Sequence, residues 1–282
     1  MQLRQELNVR NAEYARSRGL PHVGSYGEKR VVVYEPCDKN HGNFLDASYR
    51  AILRNSAWSR RLEKVHTSVA HHLPKAEHRW RELDSCMSSD ALLMNVFCHP
   101  RTLNIDAVCS VLGVERGESP IFGFRPRVPL TNGLGDRTEV DMKLGSLLVE
   151  SKLTESDFQS KSAGIVGSYR DFHDVFERRM LPRLQDKYAS YQLIRNVLAA
   201  HALGLSFCVI LDSRRPDLIE AWYAIMRCVR DSELRTRCQV LTWQELSEVL
   251  PREVRQFLNE KYGIGTLETI AKPTDTIFSL TH

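Results

Sequence analysis

The feature that most constrains the fold of this chain is a pair of strand-like runs separated by two turn-forming residues. Residues 138–144 and 147–153 alternate with the two-residue period of a β-strand, and a Gly-Ser dipeptide occupies 145–146 between them. If this dipeptide forms the turn of a hairpin, Leu144 pairs with Leu147, and this pair fixes the register of every further pair. The register then decides which side chains share a face of the sheet.

In this register the charged side chains of the hairpin gather on one face. Asp141 lies opposite Glu150, and Glu139 lies opposite Lys152. Side chains of a strand alternate between the two faces, so all four point the same way. The other face carries mostly core-like side chains and is predicted to be buried: Val140, Met142, Val149 and Ser151.

Two opposed carboxylates at this spacing predict a cation between them. Opposed Cβ atoms in such a ladder lie about 4.5–5.5 Å apart, and carboxylates that close repel unless something neutralises them. Oxygen ligands favour a hard ion such as Mg²⁺. With Lys152 beside Asp141 and Glu150 to orient or deprotonate an attacking water, the set suits hydrolysis of a phosphodiester. The structural alternative is a solvent-facing hairpin with a Glu139–Lys152 ion pair.

The rest of the chain predicts a mixed sheet flanked by helices. Residues 1–42 are polar and irregular apart from a short apolar run at 31–34. Helices are predicted over about 43–73, from 88 to 97 and over 104–111, and a strand over 121–128 precedes the hairpin. After it come helices over 169–179 and 184–203, a strand at 206–211, a helix at 216–229, a strand at 238–241 and helices near 243–250 and 253–262. This order predicts an α/β (α+β) fold.

Several classes of protein are excluded by what the sequence lacks. No apolar stretch is long enough to span a bilayer, and the charged first residues do not resemble a secretory signal. The seven cysteines form no CxxC pair, which indicates a reducing cytoplasm and no structural zinc. Motifs for binding ATP or NAD, and the nucleophilic serine elbow, are missing as well. A cytoplasmic protein without a membrane partner is therefore expected.

The hairpin resembles the active site of a known enzyme superfamily. Asp141, eight intervening residues and then Glu150-Ser151-Lys152 resemble the D-x(n)-E-x-K core of the PD-(D/E)XK nucleases. The order of helix, three strands, helix and strand across about 87–242 is similar to the αβββαβ core of that superfamily, and most similar to bacterial restriction-endonuclease-like members. One departure is Val140, which stands where a proline often precedes the first acid.

This resemblance implies a role for each residue of the motif. Asp141 and Glu150 would bind Mg²⁺, with Mn²⁺ as a substitute, and Lys152 would be the catalytic lysine. The helix after the third strand often sends a polar residue toward the acids, and Gln192 is the best match. Some members add an acid from the first core helix, where this chain offers Asp90, and Glu139 is a possible additional carboxylate instead.

Charge along the chain predicts where nucleic acid would bind. Residues 1–86 hold 15 Lys+Arg against 10 Asp+Glu, whereas 87–282 hold 24 against 25. We therefore predict a basic, mostly helical N-terminal extension over 1–86 and a nuclease-like domain over 87–282. Candidates for contact with the nucleic-acid backbone are Arg60, Arg61, Lys64 and, on the later helix, Arg195. A cluster of histidines fits a basic helical surface better than a zinc site: His66, His71, His72 and His78.

The predicted function is Mg²⁺-dependent hydrolysis of DNA, with RNA as a less favoured substrate and endonuclease action favoured over exonuclease action. A role in restriction or defence against phage follows by analogy only. The alternative is a catalytically silent nucleic-acid-binding or scaffold subunit that keeps the nuclease fold. A homodimer or a partner subunit would suit double-strand cleavage, but no residue requires one.

Overall fold

The computed structural model describes residues 2–25, 30–37, 40–65 and 81–265. The predicted histidine cluster at 66–78 lies outside these residues. Across the described ranges no helix is both long enough and apolar enough to cross a membrane. All seven cysteines are free thiols.

Helices make up most of the described secondary structure. The α-helices are α1 (Gln2–Ser17), α2 (Asp46–Arg54), α3 (Ser56–Ser59), α4 (Ser89–Phe97), α5 (Asp106–Leu112), α6 (Ala163–Gly167), α7 (Phe172–Val175), α8 (Tyr191–Leu203), α9 (Pro216–Met226), α10 (Ser232–Thr236), α11 (Trp243–Val249) and α12 (Arg252–Tyr262). Short 3₁₀ helices are Arg60–Glu63, Glu82–Asp84 and Thr102–Asn104.

The strands are short except at the centre of the molecule. They are β1 (His22–Gly24), β2 (Val32–Tyr34), β3 (Pro36–Cys37), β4 (Asn40–His41), β5 (Ile121–Phe124), β6 (Val128–Pro129), β7 (Gly135–Asp136), β8 (Val140–Leu144), β9 (Leu147–Ser151), β10 (Ser160–Ser162), β11 (Arg183–Leu184), β12 (Lys187–Ala189), β13 (Ser206–Leu211) and β14 (Cys238–Thr242).

A five-stranded mixed sheet forms the centre of the fold, with the strand order β14-β13-β9-β8-β5. Strands β5, β8 and β9 are antiparallel, whereas β13 runs parallel to both β9 and β14. β13 is apolar along almost its whole length and buried on both faces, as expected of a central parallel strand. The predicted α/β fold with a restriction-endonuclease-like arrangement of helix, three strands, helix and strand is confirmed.

Helices cover both faces of the sheet with separate apolar clusters. One cluster joins Met142 and Val149 of the hairpin to side chains of α1, α4, α11 and α12. The other joins Val140 and Leu148 to α8, α9 and the segment between β9 and α8. The hairpin is therefore enclosed between two layers. On its charged face Glu150 and Lys152 are buried, whereas Glu139 and Asp141 are half-buried. The predicted solvent-facing alternative does not describe this hairpin.

Three local predictions were wrong. Residues 2–17 form a regular helix because Leu3, Leu7, Asn11 and Ala15 recur once per turn on its buried side. The predicted helix at 169–179 is reduced to α7. The predicted helix at 184–203 begins only at Tyr191, since residues 183–189 form a small hairpin that follows Pro182 and turns at Gln185, whose φ is 56°.

The N-terminal residues pack against the end of the described chain. α1 contacts α12, and Arg10 and Asn11 donate hydrogen bonds to backbone carbonyls of α12. The division of the chain at residue 86 stays a prediction. Both ends of the described chain nevertheless contribute to one apolar cluster on the sheet.

A lysine is buried where α1 and α12 meet. The Nζ of Lys261 donates to the backbone oxygen of Gly42 at 3.1 Å and lies 3.7 Å from the ring centre of Tyr34. The rings of Tyr14 and Tyr262 complete its surroundings. Burial lowers the pKa of Lys261 well below its ordinary value of 10.5.

We expect Lys261→Met to stabilise the fold, most strongly at low pH. Between the lowered folded-state pKa and 10.5, the unfolded chain binds more protons than the folded one. Stability of the wild type then rises by roughly 1.4 kcal/mol per pH unit in that window. The variant lacks this pH dependence of the free energy of unfolding. Losing the hydrogen bond to Gly42 costs it about 1 kcal/mol, which offsets part of its gain in stability. Urea unfolding at several pH values from 6 to 9 measures the difference, with exposed Lys187→Met as the control. A difference that does not change with pH would contradict the assignment.

Candidate active site

The hairpin has the register that the sequence predicts. Leu144 pairs with Leu147, Lys143 with Leu148, and Met142 with Val149. The ladder ends there, and beyond it the two strands are joined through a side chain. The backbone N–H of Ser151 donates to Oδ2 of Asp141 at 2.7 Å. Asp141 is thereby fixed against β9, which carries Glu150 and is followed directly by Lys152.

Glu150 and Lys152 form a buried pair at the end of β9. Their side chains are 2% and 6% exposed, and the Nζ of Lys152 donates to Oε1 of Glu150 at 2.8 Å. The backbone of Lys152 is held on both sides, since its N–H donates to Ile210 of β13 and its carbonyl accepts from the indole N–H of Trp243. The lysine is therefore positioned by the sheet and by α11 before any ligand binds.

Helix α8 covers this pair with a polar face. Gln192, Arg195 and Asn196 share one face because they are three and four residues apart. The Nδ2 of Asn196 donates to Oε2 of Glu150 at 2.9 Å, so this face points at the hairpin. Gln192 lies one turn before Asn196, and its Oε1 is buried without a hydrogen-bond partner. The sequence did not single out Asn196, although its spacing from Gln192 was the available signal.

The charges at the site have unequal effects on its ionisable groups. For Lys152 burial opposes the charged form, but the carboxylates of Glu150, Glu155 and Asp141 outweigh it and raise the pKa. For Asp141 burial and the nearby charges of Glu150 and Asp90 raise the pKa well above its usual range. The lysine is thus a cation at neutral pH, whereas the negative charge of Asp141 is insufficiently compensated.

Glu139 is not paired with Lys152. Its Oε2 accepts from Arg61 at 3.0 Å and its Oε1 accepts from Arg125 at 2.9 Å. Burial opposes ionisation, but these two arginines lower the pKa of Glu139. Arg61 reaches it across Gly123, where a Cβ atom would lie 2.2 Å from the guanidinium. The charge of Glu139 is neutralised by two arginines, so the contacts favour it less than Asp141 as a metal ligand.

The basic residues predicted to contact a nucleic-acid backbone differ in their surroundings. Arg60 is exposed. Arg61 and Lys64 both bind Oδ2 of Asp90, at 2.8 and 3.3 Å. Arg195 is 2% exposed, and its guanidinium faces the hairpin. Contact with a phosphate stays a prediction for all four, and three of them are engaged with acidic or backbone groups around the site.

Arg61→Met is expected to lower the free energy of unfolding by about 2 kcal/mol, because it removes one cation from two partly buried carboxylates. In this variant Lys64 still contacts Asp90, and Arg125 still contacts Glu139. The loss of stability is therefore smaller than when a buried ion pair is broken completely. Urea unfolding measures it, with the neighbouring exposed Arg60→Met expected to stay within about 0.5 kcal/mol of the wild type. Equal losses in the two variants would contradict the network.

The residues present fit a magnesium ion. Asp141 and Glu150 supply carboxylate oxygens, and Gln192 adds a buried amide oxygen without a partner on the adjoining helix face. Within the part of the chain that the structure describes, no group of three or more His, Cys, Asp or Glu side chains is placed to hold a metal ion. Magnesium is commonly bound by only one or two protein carboxylates and otherwise by water and phosphate, which suits so small a set.

Comparison with known proteins identifies the family. No curated protein and no solved structure matches the chain significantly. A family model described as "Restriction Endonuclease associating with ARP" matches residues 5–263. This match covers most of the chain, including the hairpin, α8 and the N-terminal helices. The chain therefore belongs to this restriction-endonuclease family and is nuclease-like.

Proposed function

We propose that this protein is a Mg²⁺-dependent endonuclease that hydrolyses phosphodiester bonds of DNA. The observation that supports this best is the convergence of Asp141, Glu150 and Lys152 at the end of one hairpin, in the predicted register. The membership in a restriction-endonuclease family favours DNA over RNA.

In this proposal each side chain has a separate task. Asp141 and Glu150 would hold the metal, which when bound would polarise the phosphate and lower the pKa of a water. Lys152 stays protonated, because the surrounding carboxylates raise its pKa. As a cation it would orient the attacking water and offset negative charge that develops on the phosphate. Gln192, one turn before Asn196 on the same helix face, would offer its unpartnered amide oxygen as a further ligand.

We further propose that the protein works with a partner. The family description names association with ARP, and we infer that such a protein binds this chain. A homodimer is the other assembly that would allow both DNA strands to be cut. Restriction or defence against phage is the biological role that the family description favours.

The proposal is tested by incubating the full-length protein with linear, supercoiled and single-stranded DNA and with RNA, in Mg²⁺, Mn²⁺ or EDTA. We expect supercoiled and linear DNA to be cut in Mg²⁺ or Mn²⁺ and left intact in EDTA. Asp141→Ala should be inactive under all conditions. Cutting in EDTA, or cutting that survives Asp141→Ala, would contradict the assigned site. Binding of DNA without cutting would support the silent scaffold alternative instead.

A further inference from the structure

Two buried side chains of α8 connect the two strands of the hairpin. Arg195 is 2% exposed and Asn196 is completely buried. Nη2 of Arg195 donates to the backbone oxygen of Glu139, just before β8, at 2.8 Å. Asn196 donates to Oε2 of Glu150 on β9 at 2.9 Å. One helix therefore contacts the chain beside Asp141 and the carboxylate of Glu150 at the same time.

The arginine determines which way the asparagine amide faces. Nε and Nη2 of Arg195 lie 3.1 and 2.8 Å from Oδ1 of Asn196. A guanidinium has only donors, so the oxygen of the amide must face it. The NH₂ group of Asn196 must then face Glu150, as a carboxylate requires. Without Arg195 the amide could turn over and place its oxygen against the carboxylate.

The hairpin needs such a connection at this point. Backbone pairing between β8 and β9 is present only as far as Met142 and Val149. On the other side, β5 pairs with β8 at Met142 and Val140 but not at Asp141, where Gly123 lies opposite with a φ of 63°. Backbone pairing is thus interrupted beside Asp141 and Glu150. Hydrogen bonds from side chains therefore fix the distance between these two acids.

We propose that Arg195 and Asn196 are positioning residues that orient the Glu150 carboxylate relative to Asp141 for metal binding. Asn196 occupies Oε2 of Glu150 and Lys152 occupies Oε1, so the plane of the carboxylate is fixed and the remaining lone pairs keep a constant direction. This inference rests on the metal site of the proposed function.

The test is the affinity of the full-length protein for Mn²⁺, measured by titration calorimetry without DNA. We expect Asn196→Ala to weaken binding by about 10- to 100-fold, as substitutions of groups that orient metal ligands do. Asn196→Ser, which is too short to bridge both partners, should weaken it as well and guards against one variant failing to fold. Arg195→Met should also weaken binding, and the double variant should bind no more weakly than Asn196→Ala, because the arginine acts through the asparagine.

A matched control separates positioning from general loss of stability. Asn11 of α1 is also completely buried, and its side-chain amide donates to backbone carbonyls of α1 and α12, away from the proposed metal site. Asn11→Ala should lower the melting temperature and leave the Mn²⁺ affinity unchanged. Arg195→Lys keeps the charge but has no planar fork, so we expect it to bind Mn²⁺ as Arg195→Met does.

The outcomes that overturn the inference differ from those that overturn the metal site. If the wild type binds Mn²⁺ and folded Asn196→Ala and Asn196→Ser bind it equally well, the positioning role is wrong. Additive losses of Mn²⁺ affinity in the double variant would contradict the inference that Arg195 acts by orienting Asn196. Wild-type affinity in Arg195→Lys would contradict it as well. If the wild type itself does not bind Mn²⁺, the proposed metal site is wrong and the inference fails with it.

Discussion

Lys152→Ala is expected to lower the kcat of DNA cleavage by about a thousandfold, with little change in affinity for DNA. The ammonium of Lys152 is fixed by Glu150 and by its own backbone contacts, and its raised pKa keeps it charged at neutral pH. A preorganised charge aimed at the reacting phosphate is typically worth about 10²–10³ in rate. Lys152 is only 5% exposed. The free-energy cost of removing its ammonium group from water therefore arises when the protein folds and not during the reaction.

Lys143→Ala is the matched control for this experiment. Lys143 lies on the same hairpin, but its Nζ donates to the backbone oxygen of Gly145 at the turn, away from the acids. We expect this variant to cut DNA at the wild-type rate. Single-turnover cleavage separates the chemical step from product release, and a filter-binding assay in Ca²⁺ measures affinity for DNA. Similar losses in both variants would show that general damage to the hairpin, and not the charge at Lys152, slows cleavage.

The hairpin could be predicted because its pattern is local. A two-residue turn between alternating strands admits one register, and the pairs Leu144–Leu147 and Met142–Val149 follow from it. The central strand β13 was equally clear, since an unbroken apolar run of five residues, Phe207 to Leu211, fits a buried parallel strand. The order of these elements was enough to indicate the fold.

The partners of the charged side chains could not be predicted in the same way. Glu139 was placed opposite Lys152, yet it binds Arg61 from a segment almost 80 residues earlier, as well as Arg125. Such a contact depends on how α3 and the following 3₁₀ helix pack beside β5, which hydrophobic periodicity does not encode. Asn196 was passed over for a related reason. Its spacing placed it beside Gln192, but only the packing of α8 on the sheet directs it at Glu150.

Asp141 is the group for which stability and proposed activity conflict most. Burial, together with the charges of Glu150 and Asp90, raises its pKa, so its ionised form destabilises the metal-free fold. Folding then takes up a proton on this carboxyl, and the free energy of unfolding falls as pH rises above the usual aspartate pKa of about 3.9. An uncharged residue of the same shape would remove this cost. The proposed role as a metal ligand would explain why an acid remains there.

We therefore expect Asp141→Asn to melt at a higher temperature than the wild type in EDTA at pH 7.5, and to have no cleavage activity. Saturating Mn²⁺ should reverse the order, because a ligand at 100 times its Kd stabilises the folded wild type by about 2.7 kcal/mol and the variant has lost a ligand. Differential scanning calorimetry in both buffers measures the two differences.

Asp136→Asn gives the opposite expectation from a carboxylate outside the proposed metal site. Burial of Asp136 opposes its charge, but hydrogen bonds from Thr138 and Tyr169 outweigh this and lower its pKa. The amide replaces one acceptor oxygen with a donor, so this variant should melt below the wild type in EDTA and by the same margin in Mn²⁺. If Asp141→Asn also melts lower in EDTA, its carboxylate is compensated within the protein alone. Asp141 and Glu150 would then be part of a structural cluster, and not an incomplete site that a cation completes.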